Sequence, residues 1–530
     1  MDVPGDDTLR VAVRSDTPVV RQWHVGAVRA LAAVPAVEVV SWLYDDDGPR
    51  RRTREAGGLL HRWWTARHAP AEWRTERVDP TEFRIVRAAS TEVAALRPHL
   101  VLDLSHGAAT LPFPAPELGV WRYVGGAGRR SGGLPGLWEL LLRERVHVAR
   151  LVHTGGDGLR TVLHEGRFPI GPEIAAGAAA IMQEMTAWPA RMARLYRHAG
   201  AEALVGPRAV VGTTPGRPPG DLRMLGLPMA RRALRGTGFG PNDEWNIGVL
   251  HRPLHTLLDE EASLNIRYLP APAPGGRRSA PSGYIDALGR LNVLYRKTRP
   301  DGRSEIARAR PKQDNVIKRS RTMLATPTDV GDPYAVHTRT GIMVVVGSPS
   351  SGRTDLYRVD DANEHLEFVR TLVPVPLRSP TLFPHAGRWW LMGALDPFPT
   401  ASLHAWWSDS PEGDWRPHAL GTLKVDPASA RPGGTPFVHD GVLWRPAQDL
   451  AQPGHVHVVL NRVHHLDPHR FHEEPVREVR PRASSSHPHG IAMLFGMGGL
   501  TLVDGVRRDL PRIEKAPKPG ARRRKPGRRP

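Results

Sequence analysis

The chain of 530 residues contains no cysteine. That absence excludes disulfides, thiolate metal sites, iron–sulfur clusters and a cysteine nucleophile together. Aromatic residues are scarce at 6%, yet the 15 Trp outnumber the 10 Phe and the 8 Tyr. Long apolar runs are missing too. The start, Met1 to Asp7, is acidic and has no apolar core of a secretory signal. No stretch reaches the roughly 18 apolar residues of a membrane-crossing helix, so the sequence predicts a cytoplasmic protein. Acidic residues are in deficit, 54 against 73 Lys and Arg, for a formal charge of +19. What the chain does have is glycine (53) and proline (52), which imply many turns. Its length suits two to four domains.

The charge is uneven. Lys515 to Pro530 carries eight cations and no acid, leaving +11 for the rest of the chain. Proline and glycine interleave these charges, so residues 512–530 read as a disordered basic tail. A solvated tail is the plain reading, and weak contact with anionic lipid or RNA is the functional one. No helix-turn-helix pattern or RNA-binding strand accompanies it, so no specific nucleic-acid partner is expected.

The first half alternates strands with helices. Leu9–Arg14 reads as a strand, Ser15-Asp16-Thr17-Pro18 as a helix start, Val37–Leu43 and Leu100–Leu104 as further strands. That order predicts an α/β, Rossmann-like parallel sheet, without the G-x-G-x-x-G of a dinucleotide site. The stretch Gly133-Leu-Pro-Gly-Leu-Trp-Glu-Leu140 opening a helix, and the strand Val148–Val152 after it, resemble the N-terminal domain of formyltransferases over residues 9–170. In that family an Asn, a His and an Asp act on the transferring group. The turn that would carry the histidine reads Val124-Gly125-Gly126 here, and no spacing recruits His106 or Asp157 instead. The domain (residues 1–170) therefore reads as a scaffold or binding element. Residues 171–242 read as a helix followed by a linker rich in Gly, Pro and Arg.

In the second half a strand–Gly–strand hairpin recurs, with turns at Gly289, Gly341, Gly387, Gly441 and Gly498. Short hairpins about fifty residues apart are the mark of propeller blades, and five units predict an all-β five-bladed propeller over 243–511. The stretches Ser429-Ala-Arg-Pro-Gly-Gly434, Trp444-Arg-Pro-Ala-Gln-Asp449, Gly387-Arg-Trp-Trp-Leu-Met392 and Leu502-Val-Asp-Gly505 resemble the propeller domain of plant glucosamine inositolphosphorylceramide transferase and its bacterial relatives. In some of those relatives such a propeller follows a formyltransferase-like domain. The resemblance implies sugar transfer, or sugar recognition, at the propeller axis. Several acidic positions of the family are replaced: Ser279-Ala-Pro-Ser282 stands for Ala-Asp-Pro-Phe, Gly347-Ser348 for an acidic step, and Ser379 for an Asp before Thr381-Leu382-Phe383. A histidine expected in the last unit falls on Ala492. Asp396, Asp449 and Asp504 remain as carboxylates. Glycosyl chemistry by hydrolase-like means needs two of them facing each other.

Within those motifs Arg431 and Arg445 are candidate anion-binding forks for a nucleotide-sugar diphosphate or an inositol phosphate. The competing role is to pin loop carbonyls. Gln448 and Asp449 could read sugar hydroxyls, Asp449 as a base, or else brace a turn. Trp389 could stack on a sugar, against core packing for both it and Trp390. No metal site is expected, and no cofactor beyond a nucleotide-sugar donor. The leading reading is a glycosyltransferase-like protein of cell-envelope glycan synthesis acting on a sugar or glycolipid. The rivals are a catalytically degenerate glycan-binding or scaffold protein, and a formyl or acyl transferase with a rearranged site.

Overall fold

The computed structural model describes residues 8–44, 59–88, 91–105, 116–125, 133–209, 221–235, 239, 243–273, 275–311, 320–326 and 329–508. The basic tail and His106 lie outside them. Leu9–Ser15 forms the middle of a parallel group, paired with Val37–Tyr44 on one side and Leu100–Asp103 on the other. Helix Gln22–Ala32 crosses between the first two strands. Val11, Val13 and Leu102 are completely buried, as expected where a parallel sheet is covered on both faces. Val120–Gly125 joins Leu100–Asp103 in parallel, and then the sheet turns antiparallel through Val146–Thr154 and Arg160–Pro169.

The sheet does not stop there. Gly166 pairs with Val425, at the end of strand Arg416–Val425, which continues through Ser402–Ser408 and Arg388–Ala394 to Arg378–His385. The result is one mixed sheet of eleven strands. Gly166 is required at the join, because a Cβ there would lie 2.6 Å from the Phe168 ring. Four other sheets have four strands each. They comprise Arg277–Leu324, Pro333–Val373, Phe437–Val479, and a closing sheet in which Glu244–Leu250 pairs antiparallel with Leu500–Arg507.

Two expectations are therefore corrected. The chain is mostly β, and its first half is not a self-contained Rossmann-like domain: its parallel strands are one end of the eleven-stranded sheet. Nor are there five separate blades. Four four-stranded sheets take a propeller-like arrangement, and the unit with the Gly387 turn belongs to the mixed sheet. The reason is physical. Hairpin spacing counts hairpins, whereas sheet membership depends on what pairs with each exposed edge strand, and here the edge at Arg416–Val425 is taken by Gly166, 259 positions before its partner Val425.

The join is also a shared core. Phe168 packs on Phe398 with ring centroids 5.2 Å apart, and Val425 belongs to the same buried cluster as Trp188 and Leu151. Helices Ile174–Thr186 and Trp188–Ala199 carry an ion pair, Glu184 with Arg191, against the strands behind it. The Thr422 hydroxyl donates to Glu184 Oε2 at 3.0 Å. His164 and His404 lie in the field of this pair; burial, foremost, lowers each to about 4.

Candidate functional site

Four X-Pro steps lie in or shortly before strands of successive repeats: Ala280-Pro281, Asp332-Pro333, Ser379-Pro380 and Arg431-Pro432, spaced 52, 47 and 52 residues apart. Proline restricts the residue before it, and Ala280 and Ser379 go further, into the left-handed region at φ 51° and 48°. Both sit at register shifts in their strands. Strain of this kind persists only where the surroundings enforce it, and it collects at functional sites. Here it turns the X residues toward one another at one end of the propeller axis.

The Ser379 hydroxyl is the hub. It donates to Asp332 Oδ2 at 3.1 Å and accepts from Arg431 Nε at 3.1 Å and Gln448 Nε2 at 3.2 Å. One donor and two lone pairs are thus all engaged. Asp332 also lies 3.6 Å from Arg431 Nη2 and 3.8 Å from Arg296 Nη1. Arg378, next to the hub, has no carboxylate partner among the described residues, and its charge acts on Arg431. Asp504 closes the group from below. Its oxygens accept the backbone N–H groups of Ala280 (3.0 Å), Ala492 (3.1 Å) and Met493 (2.7 Å). Burial, and more weakly the charge of Asp332, pushes the Asp504 carboxyl up to about 6. Arginine Arg431 is pulled below its ordinary value, first by burial.

The guanidinium of Arg431 therefore faces Asp332, with the charge of Arg378 nearby. Arg296 reaches Asp332 from its ion pair with Asp329 at 2.9 Å, while Asp504 is locked into backbone hydrogen bonds. Asp332 and Arg431 keep 14% and 20% of their side-chain surface exposed, so a ligand can reach them. The arrangement suits an anion presented together with hydroxyls. It does not offer two carboxylates free to share acid and base work.

Of the residues singled out from sequence, the structure brings Arg431 and Gln448 together and leaves three elsewhere. Arg445 is 2% exposed and uses four of its five N–H donors internally. Nε and Nη2 hold Glu473 at 2.7 and 2.6 Å, and Nη1 and Nη2 reach the carbonyls of Ala430 and Ser429. It has the pinning role. Asp449 braces a turn through the Ala451 N–H at 2.9 Å, and burial raises its carboxyl. It follows Gln448 in a strand, so it points to the opposite face. Trp389 sits at the far end of its strand from the hub, half-buried against the core, and Trp390 is fully buried. Asp332, Arg296 and Arg378 were missed. The fifty-residue recurrence of X-Pro, which no single motif displays, marks Asp332 and the neighbour of Arg378, whereas no sequence signal marks Arg296.

The other end of the axis is apolar. A cavity of about 570 Å³ there is lined by Ile285, Val336, Phe383, Phe437, Phe495 and Met497 among others. Among the described residues no three His, Asp or Glu side chains gather as a metal site, and no helix is long and apolar enough to cross a membrane.

Comparison with known proteins points to one family over part of the chain. Residues 301–487 match the family described as "Glucosamine inositolphosphorylceramide transferase 1, N-terminal". Glucosamine inositolphosphorylceramide transferase 1 of Arabidopsis thaliana is 26% identical over 190 residues, 33% of this chain and 25% of that protein. The protein of the same name from Oryza sativa subsp. japonica is 30% identical over 129 residues, 23% of this chain and 17% of that protein. The matched part thus spans a quarter or less of these relatives. Among solved structures, a GH43_1 enzyme from Xanthomonas citri aligns over 40% of this chain and 78% of its own, at 15% identity and a TM-score of 0.32. An exo-beta-1,3-galactanase from Phanerochaete chrysosporium covers 36% and 45%, at 11% identity and a TM-score of 0.28. Scores this low carry no argument. Residues 301–487 are thus similar to a family described by the N-terminal region of the plant transferases, and the similarity is shown over that part of the chain alone.

Proposed function

We propose that the chain is a carbohydrate-active protein that takes a sugar bearing an anionic group, from a nucleotide-sugar donor or a phosphoryl-linked glycolipid, at the mouth formed by Arg431, Arg378, Arg296 and Asp332. The observation that carries this reading is the approach of Arg431 and Arg296 to Asp332, with Arg378 beside them, at a partly open mouth. The relation to plant glucosamine inositolphosphorylceramide transferases supports a sugar or glycolipid substrate, and a glycosyltransferase-like role in cell-envelope glycan synthesis follows as the enzymatic form of the proposal. Isothermal titration against nucleotide sugars, inositol phosphates and neutral sugars tests it. Anionic compounds bind, binding weakens with salt, and Arg431→Ala loses at least about tenfold, as expected for a charge-assisted hydrogen bond of ~1.5–3 kcal/mol. Equal binding of neutral sugars, indifferent to that substitution, would refute the reading.

A second reading, recognition without turnover, is favoured by the state of the carboxylates. Asp504 is consumed by three backbone donors, so Asp332 alone faces the mouth. A product assay with any donor that binds separates the two. Turnover abolished in Asp332→Asn with binding retained supports the enzyme; binding without product in the parent chain supports the recognition protein.

A further inference from the structure

Five strands wall the apolar end of the axis: Arg277–Ile285, Pro333–Thr338, Arg378–His385, Phe437–His439 and Gly490–Met497. Four come from the four-stranded sheets and one from the mixed sheet. Each contributes to the cavity of about 570 Å³, a volume within the range of small-molecule sites. Toward the mouth the cavity is closed. Tyr334 and Phe495 meet edge to face there, with ring centroids 5.3 Å apart, and both are buried, as is Leu382. Away from the mouth it is open: Ile285 and Val438, which line it, are 42% and 60% exposed. His337, on the exposed rim, lies five residues beyond Asp332, about 15 Å at the usual rise of a strand. The cavity and the anion-binding mouth are therefore separate places on the axis.

The lining decides what can enter. Among the described residues no Asp, Glu, Lys or Arg side chain takes part in it. Thr435 Oγ1 accepts the Gly496 N–H at 3.2 Å and shares a hydrogen bond with the Tyr334 phenol. These two polar side chains thus answer each other and leave little for a sugar hydroxyl. Only His337 remains, and it stands at the solvent edge. A charged or hydroxyl-rich molecule would give up its hydration here without recovering it. The walls instead offer Val336, Leu443, Phe383 and Phe437, with Met497, whose flexible thioether adapts to the shape of an apolar occupant. A concave apolar surface of this size, left open to water, is the mark of a binding site.

We propose that this cavity is a second binding site, which takes the hydrocarbon chain of a single-chain lipid and leaves the head group in water beside His337. The affinity comes from burying CH₂ groups against the five strands and owes nothing to charge. The inference does not rest on the anion-binding reading of the mouth.

Isothermal titration of the full chain with hexanol, octanol and decanol, which carry the chain without a charge, tests it. Each added CH₂ is expected to tighten binding about fourfold, the equivalent of ~0.8 kcal/mol. Raising the salt from about 0.1 to about 1 M does not weaken it, in contrast to binding at the mouth. Ile285→Glu and Val438→Glu place a carboxylate at the opening, in exposed positions, and lower decanol affinity at least about tenfold at an unchanged melting temperature. Leu288→Glu, 74% exposed in the turn after Ile285 and outside the lining, adds the same charge and leaves the affinity unaltered. Flotation with neutral phosphatidylcholine vesicles then identifies the source of the chain. Recovery with the vesicles, lost in Ile285→Glu, supports a chain drawn from a bilayer, and decanol binding without flotation supports one taken from solution. Affinity that does not grow with chain length, or that ignores both cavity variants, overturns the proposal. So does a dimer, seen by sedimentation velocity, that dissociates in Val438→Glu, because a second copy would then be what covers this face.

Discussion

Replacing Arg445 with methionine tests the division between bracing and binding arginines. The substitution keeps the apolar stem and removes the guanidinium. Glu473, 1% exposed, then retains only Lys424, whose Nζ is 2.9 Å from Oε1. The Ala430 carbonyl loses its Arg445 donor, and the Ser429 carbonyl keeps only Asn461 Nδ2 at 3.5 Å. Removing one partner of a buried ion pair costs about 3–5 kcal/mol, because the other charge is left uncompensated. At about 2–4 °C per kcal/mol for a unit of 150–250 residues, the melting temperature falls by on the order of 10 °C. Arg431→Met is the control. That side chain is one-fifth exposed and its carboxylate contact is 3.6 Å long, so the loss of stability stays near ~1 kcal/mol or below. Urea unfolding with both variants measures the difference. An Arg445→Met chain within about 1 kcal/mol of the parent, or an Arg431→Met chain as damaged as Arg445→Met, would refute the assignment of roles. Adding Glu473→Gln to Arg445→Met recovers part of the loss if the stranded charge is its cause.

Acid should loosen the join between the two halves. His164 and His404 have folded values near 4 against 6.5 unfolded, so the stability they confer is complete above pH 6.5 and is lost as pH falls toward 4, by at most about 3 kcal/mol each. Urea midpoints between pH 7.5 and 5 measure it, and His404→Gln flattens the slope. Asp504 has the opposite sign. Its raised value, about 6, means a contribution present below about pH 4 and lost as pH rises through 6. Asp504→Asn aims an amide at one of the three backbone donors and costs about 1–3 kcal/mol in a chemical melt. Gly166→Val forces a side chain into the Phe168 ring and costs about 1–3 kcal/mol by overpacking, with increased proteolysis between the halves as the visible sign.

The hairpins were legible because their turns need a residue that tolerates positive φ, and Gly289, Gly387, Gly441 and Gly498 all adopt it, at 56° to 75°. The motifs around Arg431 and Gln448 were legible because they are contiguous. Asp332 was not, since its meaning lies in Ser379 and Arg431, which reach it across gaps of 47 and 99 residues. Arg445 misled for the complementary reason: a guanidinium beside a turn looks the same in sequence whether it faces solvent or Glu473. The eleven-stranded sheet was the least legible, because the join rests on a single pair, Gly166 with Val425, and one glycine in a strand announces no partner.

The pairing of Glu244–Leu250 with Leu500–Arg507 has a consequence for how the protein is made. The strand opening the propeller-like half pairs early with Arg267–Tyr268 on one edge, but its other edge has its antiparallel partner only when the last described strand has left the ribosome. At about 5–20 residues per second, that is a wait on the order of tens of seconds. During it the edge of Glu244–Leu250 that later takes Leu500–Arg507 is unpaired, and Ala280, Ala492 and Met493 lack the Asp504 carboxylate that later gathers their N–H groups. Synthesis thus passes through a long stage in which the ring is open and the anion-binding mouth is incomplete, and a chain cut short before residue 500 remains at that stage.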